Sequence, residues 1–277
     1  MIDISISNKD KLSKIISIFK NLNKITEHVN IHFSKNYMYI QGKCSINVCI
    51  LEINLISSWF DAYKVDNDEA IGVNSEVLFK VISCISDNQT LHMKHKDESD
   101  TMEIVFEGDN TIEKAFELQL VDLDEDVLDV PFKEHEVDIK IKSNVFSDLV
   151  NQLKMFGEDA TISCSDENVS LGTNSVSGKL NIILNEDNLI EYGIEEELKL
   201  RTTVSLNYLH IISLYSKITN ETNIHVSENF PLEVRYNVEG SWMDDSDSDE
   251  DDEDDDSASD FNTKNMVRFF LAPKIDD

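Results

Sequence analysis

Residues 11–24 hold Lys11, Lys14, Lys20 and Lys24 and no carboxylate, in a chain whose 55 acidic residues far outnumber its 24 lysines and arginines. Ammonium groups spaced this way neutralise phosphates without reading bases. They give position without sequence preference, and their contribution falls steeply with salt. Wound at about 100° per residue, Lys14, Ser17, Lys20, Asn21 and Lys24 fall opposite an apolar stripe of Leu12, Ile15, Ile16, Phe19 and Leu22. A solvated helix face reads the same way, but the acidity of the remaining chain weighs toward a segregated cationic surface. Lys80, Lys154 and Lys217 on other helical segments join the set of candidate phosphate contacts.

Other chemistry is poorly supplied. His92 and His95 lie three apart in a strand-like run and should point to opposite faces, while His28 and His32 would share a face roughly 13 Å apart. Neither pair makes a good metal site. Cys44, Cys49, Cys84 and Cys164 show no CxxC spacing and read as reduced, mostly packed thiols. No phosphate-binding Walker loop, nucleophile elbow or GxGxxG is present. Adjacent carboxylates carry little information in so acidic a chain. The expectation is a non-enzymatic binding protein without metal or cofactor.

The elements that would position the lysines follow from periodicity. Helical stripes run over 11–22, with Asp10 placed to cap, over about 75–85 (Val77, Leu78, Val81, Ile82, Ile85), after Ser143 (Phe146, Leu149, Val150, Leu153) and over about 205–218 (Leu206, Leu209, Ile212, Tyr215). The first and third begin about 133 residues apart, the second and fourth about 130. Glu27–Ser34 aligns with Glu158–Ser165, each a strand followed by a polar turn and a second strand ending near Gly42 or Gly172. Short alternating strands fill the rest, for example Thr101–Glu107, Val137–Ile141 and Leu232–Val238. An internal repeat of this length indicates two copies of one domain rather than a solenoid. The 277 residues and the 40% hydrophobic fraction suit two ordinary globular domains. The amino terminus alternates like a strand, and no apolar run approaches the roughly 20 residues of a membrane helix, so a soluble intracellular protein is expected.

Two acidic segments interrupt this pattern. Val121–Pro131 dots large aliphatics among carboxylates. It reads either as a solvated linker or, because exposed Leu128 and Val130 invite association, as a docking element. Asp244–Asp260 holds 12 acidic residues among 17 and no lysine or arginine, and is expected to form a disordered loop in a carboxy-terminal hairpin.

Several motifs then converge in order. Phe60-Asp61-Ala62-Tyr63-Lys64-Val65-Asp66, Ala70-Ile71-Gly72-Val73-Asn74, the Val121–Pro131 segment, Ile162-Ser163-Cys164, Phe230-Pro231-Leu232-Glu233-Val234-Arg235-Tyr236 and the tail Leu271-Ala272-Pro273-Lys274-Ile275 resemble the proliferating cell nuclear antigen family of eukaryotic-type DNA sliding clamps. The resemblance covers most of the chain. It implies an α+β DNA-clamp fold: two similar domains, each with two helices packed on antiparallel sheets, assembling into a pseudo-sixfold homotrimeric ring. The domains would span 1–119 and 137–277, joined by an interdomain connector at 120–136. The ring would encircle double-stranded DNA, act as processivity factor for DNA polymerase and serve as a platform for replication and repair proteins. An ATP-dependent clamp loader would open it, and its place would be the nucleus or a viral replication compartment. DNA would face Lys14, Lys20 and Lys80 in particular. Glutamine-led partner peptides with paired aromatics would dock at Val48, Leu128, Val130, Pro131, Pro231, Phe270, Leu271, Ala272 and Pro273.

The sequence departs from the family at some of these places. Lys43 stands where a methionine is usual in the pocket and Asn47 replaces a histidine, so partner preference is expected to differ. Asn151 and Asn207 stand in for arginines of the third and fourth helices. Asp166 replaces a lysine commonly modified by ubiquitin. Asp244–Asp260 is not a general family feature. The same fold could also serve a heterotrimeric checkpoint clamp or a viral processivity factor that does not close into a ring. An acidic histone-chaperone-like protein is the reading from a different class, and it leaves the lysine helix unexplained.

Overall fold

The computed structural model describes residues 1–124, 126–131, 133–176, 178–238 and 263–274. The acidic stretch Asp244–Asp260, expected from sequence as a disordered loop, lies outside the described residues, as does Ile275 of the tail motif.

The first half runs β1 (Ile2–Ile6), α1 (Lys9–Leu22), β2 (His28–Phe33), β3 (Tyr37–Lys43), β4 (Cys49–Ile56), a 3-10 turn, β5 (Ala62–Val65) and β6 (Glu69–Asn74). It ends with α2 (Ser75–Ile82), β7 (Thr90–His95), β8 (Thr101–Glu107) and β9 (Lys114–Gln119). The second half opens with β10 (Val137–Lys142), α3 (Ser143–Lys154), β11 (Asp159–Ser165), β12 (Asn168–Ser175) and β13 (Gly178–Leu184). A 3-10 turn, β14 (Glu191–Ile194), β15 (Leu200–Ser205), α4 (Leu206–Ser213), β16 (Glu221–Val226), β17 (Leu232–Asn237) and β18 (Met266–Leu271) complete it. Apart from a second 3-10 turn after α4, the order of the first half is repeated element for element.

Pairing repeats as well. The first half forms a five-stranded sheet, β5-β1-β7-β8-β9, and the four strands β4-β3-β2-β6; the second forms β14-β10-β16-β17-β18 and β13-β12-β11-β15. Every pair is antiparallel, and β18 pairs with β4 from Met266↔Asn54 to Leu271↔Cys49. That joint fuses four strands of one half with five of the other into a nine-stranded sheet. Strand alternation decides which side chains go inward. In β1 Ile2, Ile4 and Ile6 are buried, and in β10 Val137, Ile139 and Ile141 are their counterparts. In β18 Val267, Phe269 and Leu271 are fully buried while Arg268 between them is not.

The helices cover the core face. α1 packs on α2 and α3 on α4, and the 3-10 turn Leu214–Lys217 after α4 touches both α1 and α3. Asn21 Nδ2 donates to Leu214 O (3.4 Å) and the Tyr215 hydroxyl to Ile18 O (3.4 Å), tying the two halves across the helix layer. Tyr215 is fully buried, edge-on to Phe269 at 4.9 Å.

Three helix limits differ from expectation. α1 begins at Lys9, and its cap is Asn8, whose side chain accepts from the Asp10 and Lys11 amides, rather than Asp10. α2 stops at Ile82 because the Ser83 hydroxyl donates to Phe79 O (2.6 Å) and the Cys84 thiol to Lys80 O (3.3 Å), occupying carbonyls of the last turn. α4 ends at Ser213 and tightens into the 3-10 turn that carries Tyr215 inward.

Candidate functional site

Two surfaces collect the predicted residues, one on each side of the nine-stranded sheet. On the helix side, Lys20, Lys24, Lys80, Lys154 and Lys217 are exposed. Lys24 and Lys154 both depress the His210 pKa, after the larger effect of its burial, and Lys20 adds to the burial that lowers Lys24. These shifts place α1, the end of α3 and α4 in one shared positive field. Lys20, Lys154 and Lys217 form no ion pair among the described residues, so their charge is available to an external anion. Lys80 on α2 is held by Glu76 one turn back (2.6 Å), an exposed pair worth only a few tenths of a kcal/mol.

Lys11 and Lys14 depart from the expected solvated face. Lys14 Nζ donates to Val238 O at 2.8 Å and pairs with Asp10 at 2.8 Å, leaving its side chain 18% exposed. Lys11 Nζ donates to Trp59 O at 2.5 Å and lies 5.6 Å from the Trp59 ring. Proximity to the root of β17 and to the 3-10 turn before β5 turns both side chains inward, a tertiary effect that a helical wheel does not contain. Lys14 and Lys217 also line a cleft of about 600 Å³ beside Asn220, Glu221 and Val238.

The opposite face carries the connector. Val121 N–H donates to Gly72 O at 2.8 Å, and a Cβ on Gly72 would meet Val121 O at 2.0 Å, so only glycine admits this crossing of β6. Asn30 of β2 then donates to Leu123 O (3.2 Å). Gln41 of β3 clamps Leu128 at both ends, accepting from its N–H (2.7 Å) and donating to its carbonyl (2.9 Å). Farther along, His135 reaches Ser227 Oγ (2.9 Å) and Glu233 (2.9 Å), and stacks on His225 at 5.0 Å. Both side chains of the His135–Glu233 pair are nearly buried. Burial opposes the Glu233 carboxylate, but hydrogen bonds from His135 and Arg235 and the neighbouring positive charge outweigh it, holding the group at about 2. Along the β4–β18 joint, Arg268 pairs with buried Glu52 at 2.5 Å.

The strap and the carboxy-terminal tail carry the predicted docking residues other than Lys43, Asn47, Val48 and Pro231. The tail folds back so that Ala272 N–H donates to Val48 O (2.8 Å), and farther on Lys274 N–H donates to Thr203 O (2.7 Å) while its ammonium pairs with Asp159 (2.5 Å). Pro231, Val130, Ala272 and Pro273 are half-buried and Pro131 is exposed; Leu128 is 44% exposed. Asn47 sits at the exposed hairpin tip with φ 55°, and Lys43 lines a small pocket with Asn30, His32, Gln41 and Val127. Leu271 does not present its side chain here: strand alternation turns it into the core with Phe269. Phe270 points to the opposite face of β18, buried beneath Phe230 (6.5 Å, edge-on) and with Arg268 over its ring (5.2 Å).

Sequence reasoning passed over Gln41, Ile46, Val127 and Phe230 as site residues. The exposed aliphatics Ile46 and Val127 were visible as loop hydrophobics, and Gln41 alternates with Tyr39 and Lys43 on the outer face of β3. Phe230 stood in the Phe230–Tyr236 motif, but only its tertiary contacts with Phe270 and His135 single it out. His92 and His95 part as expected, His95 buried against Glu69 and His92 facing Glu107.

A duplicated α+β chain whose halves share one sheet, with a lysine-bearing helix layer on one side and a strap hydrogen-bonded across the other, has the architecture of a DNA clamp. Comparison with known proteins agrees. The N-terminal domain of proliferating cell nuclear antigen matches residues 1–128 and its C-terminal domain residues 129–244, so the chain belongs to the proliferating cell nuclear antigen family of sliding clamps. The two matches meet between Leu128 and Asp129. Among curated relatives, proliferating cell nuclear antigen 2 of Drosophila melanogaster is 23% identical over 278 residues, covering 100% of this chain and 99% of the relative.

Proposed function

We propose that the chain is a replicative sliding clamp: a homotrimeric ring that encircles duplex DNA, confers processivity on DNA polymerase and carries replication and repair proteins on its docking face. The observation that carries the reading is the set of strand edges left over. Within the chain, β18 of the second half pairs with β4 of the first. By the repeat, β9 corresponds to β18 and β13 to β4, and β9 and β13 are the outer strands of their sheets. Pairing β9 of one copy with β13 of the next reproduces the internal joint, a head-to-tail contact that closes when the rotation completes a circle. Ile183 on β13, 56% exposed, would be covered there. Three chains of two domains give the pseudo-sixfold ring that the family implies.

The domains are 1–119 and 137–277, with 120–136 as connector. Lys20, Lys24, Lys80, Lys154 and Lys217 contact phosphates; Lys11 and Lys14 support the helix layer more than they meet DNA. The cationic face is too sparse to hold linear DNA tightly, and enclosure makes tight binding unnecessary. An ATP-dependent loader and polymerases with glutamine-led peptides are the partners, and the nucleus is the site of action. Primer extension on a circular template with loader and polymerase, comparing wild type with Lys20→Glu/Lys80→Glu/Lys154→Glu, tests the DNA face. Short products from a variant of normal solution mass support it, and undiminished product length refutes it.

A further inference from the structure

Cys44 and Cys49 flank the hairpin tip that borders the docking face. The β3–β4 register, Gly42↔Leu51 then Lys43↔Ile50, makes them the next facing pair, and Cys44 N–H donates to Cys49 O at 3.0 Å. Cys44 continues the inward series Met38 and Ile40, and Cys49 begins the inward series Leu51, Ile53 and Leu55, so both thiols are on the core side. Facing residues of an antiparallel pair have Cα atoms about 4.5–5.5 Å apart, within the roughly 4.4–6.8 Å that a disulfide spans. Both cysteines are free.

The pair is chemically unequal. Cys49 N–H donates to Cys44 Sγ at 3.3 Å. Burial works to raise the Cys44 pKa, but the Tyr208 hydroxyl and the amides of Cys49, Val48 and Ile46 outweigh it and lower the pKa. Burial, with Cys44 alongside, pushes the Cys49 thiol up to about 12. Ser45, Ile46 and Asn47 at the tip are exposed, and such tips open locally at low cost.

We propose that Cys44 and Cys49 are a redox-closable dithiol that a small disulfide oxidant such as glutathione disulfide converts to an intrachain disulfide, and that closure weakens peptide docking. Cys44 thiolate attacks one sulfur of glutathione disulfide; the oxidant's S–S bond breaks, a bond to Cys44 Sγ forms and one glutathione thiolate leaves. Cys49 gives its proton to solvent and attacks Cys44 Sγ, forming the Cys44–Cys49 bond and expelling the second glutathione. The protein loses two electrons and two protons, and the oxidant is reduced to two thiols. Bond formation withdraws Cys44 Sγ from Cys49 N–H and resets Val48, whose carbonyl holds the tail through Ala272.

The docking half rests on the proposed function; the dithiol half does not. Full-length protein is equilibrated with graded glutathione redox ratios, mapped by mass spectrometry, and titrated with a fluorescent glutamine-led peptide bearing paired aromatics. The expected results are loss of two hydrogens in the peptide spanning both cysteines, reversal by dithiothreitol, a lasting glutathione adduct on Cys44 in Cys49→Ser, and no dependence on Cys84. Docking should weaken about fivefold on oxidation, the scale of one lost backbone hydrogen bond. Oxidation confined to Cys84, or none at Cys44, overturns the dithiol. Closure with unchanged docking overturns the regulatory half. A reduced protein that binds no peptide refutes the docking reading and leaves the mass result to judge the dithiol.

Discussion

Helix α1 of the first half and α3 of the second hold the same place in the repeat, and their buried faces agree in kind: Leu12, Ile15, Ile18, Phe19 and Leu22 in one, Phe146, Val150 and Leu153 in the other. Their exposed faces do not. α1 exposes Lys9 and Lys20 and turns Lys11 and Lys14 inward, whereas α3 has Lys154 alone and an asparagine at 151. The strand edges differ in the same way. β18 is sealed to β4 by the Arg268–Glu52 pair, while its counterpart β9 ends a sheet. The comparison teaches that apolar periodicity maintains the fold in both halves, whereas function is written where the halves diverge.

The comparison breaks most severely at the internal joint. Replacing Arg268 by methionine leaves the Glu52 carboxylate buried without its main cation and should cost about 3–5 kcal/mol. Glu117→Gln on exposed β9 should stay within about 0.5 kcal/mol; denaturant unfolding of both variants provides the check. Acid is the next lever. The Glu233 carboxylate is held at about 2 against an ordinary 4.5, so its stabilisation is present above about pH 4.5 and is lost as pH falls toward 2. Unfolding free energy of the wild type should fall through that window by about 3 kcal/mol more than that of Glu233→Gln.

Smaller effects sharpen the contrast between surfaces. Leu128→Ala/Val130→Ala should weaken peptide docking by about 1–3 kcal/mol in a calorimetric titration, with chain stability hardly changed because both side chains are partly exposed. Returning arginine to the second half, as Asn151→Arg/Asn207→Arg, should steepen the salt dependence of DNA binding by about one unit of logarithmic slope for each new phosphate contact. The slope would stay unchanged if those positions face away from DNA.

Much of the architecture was legible in residues 1–85 and their repeat, because inward residues at period 2 or 3.6 persist where one face is buried. Leu128 and Val130 among carboxylates left a solvated linker and a docking element both open, and only the hydrogen bonds of Gly72, Asn30 and Gln41 lay the segment on the sheet. Less visible was anything that depends on distant chain. Lys14 turns toward Val238, more than 200 residues away in sequence, and Leu271 takes its direction from the β4–β18 joint. The stacked His135–His225 pair and the Gln41 clamp likewise depend on elements that meet only after folding.

Enclosure of DNA is tested most directly by topology. The clamp is loaded on a nicked circular plasmid, freed of loader, washed in moderate salt, and the plasmid is then cut once. The account predicts that clamp stays with the circle and is released from the linear molecule at the same ionic strength. Equal retention on circular and linear DNA would contradict it.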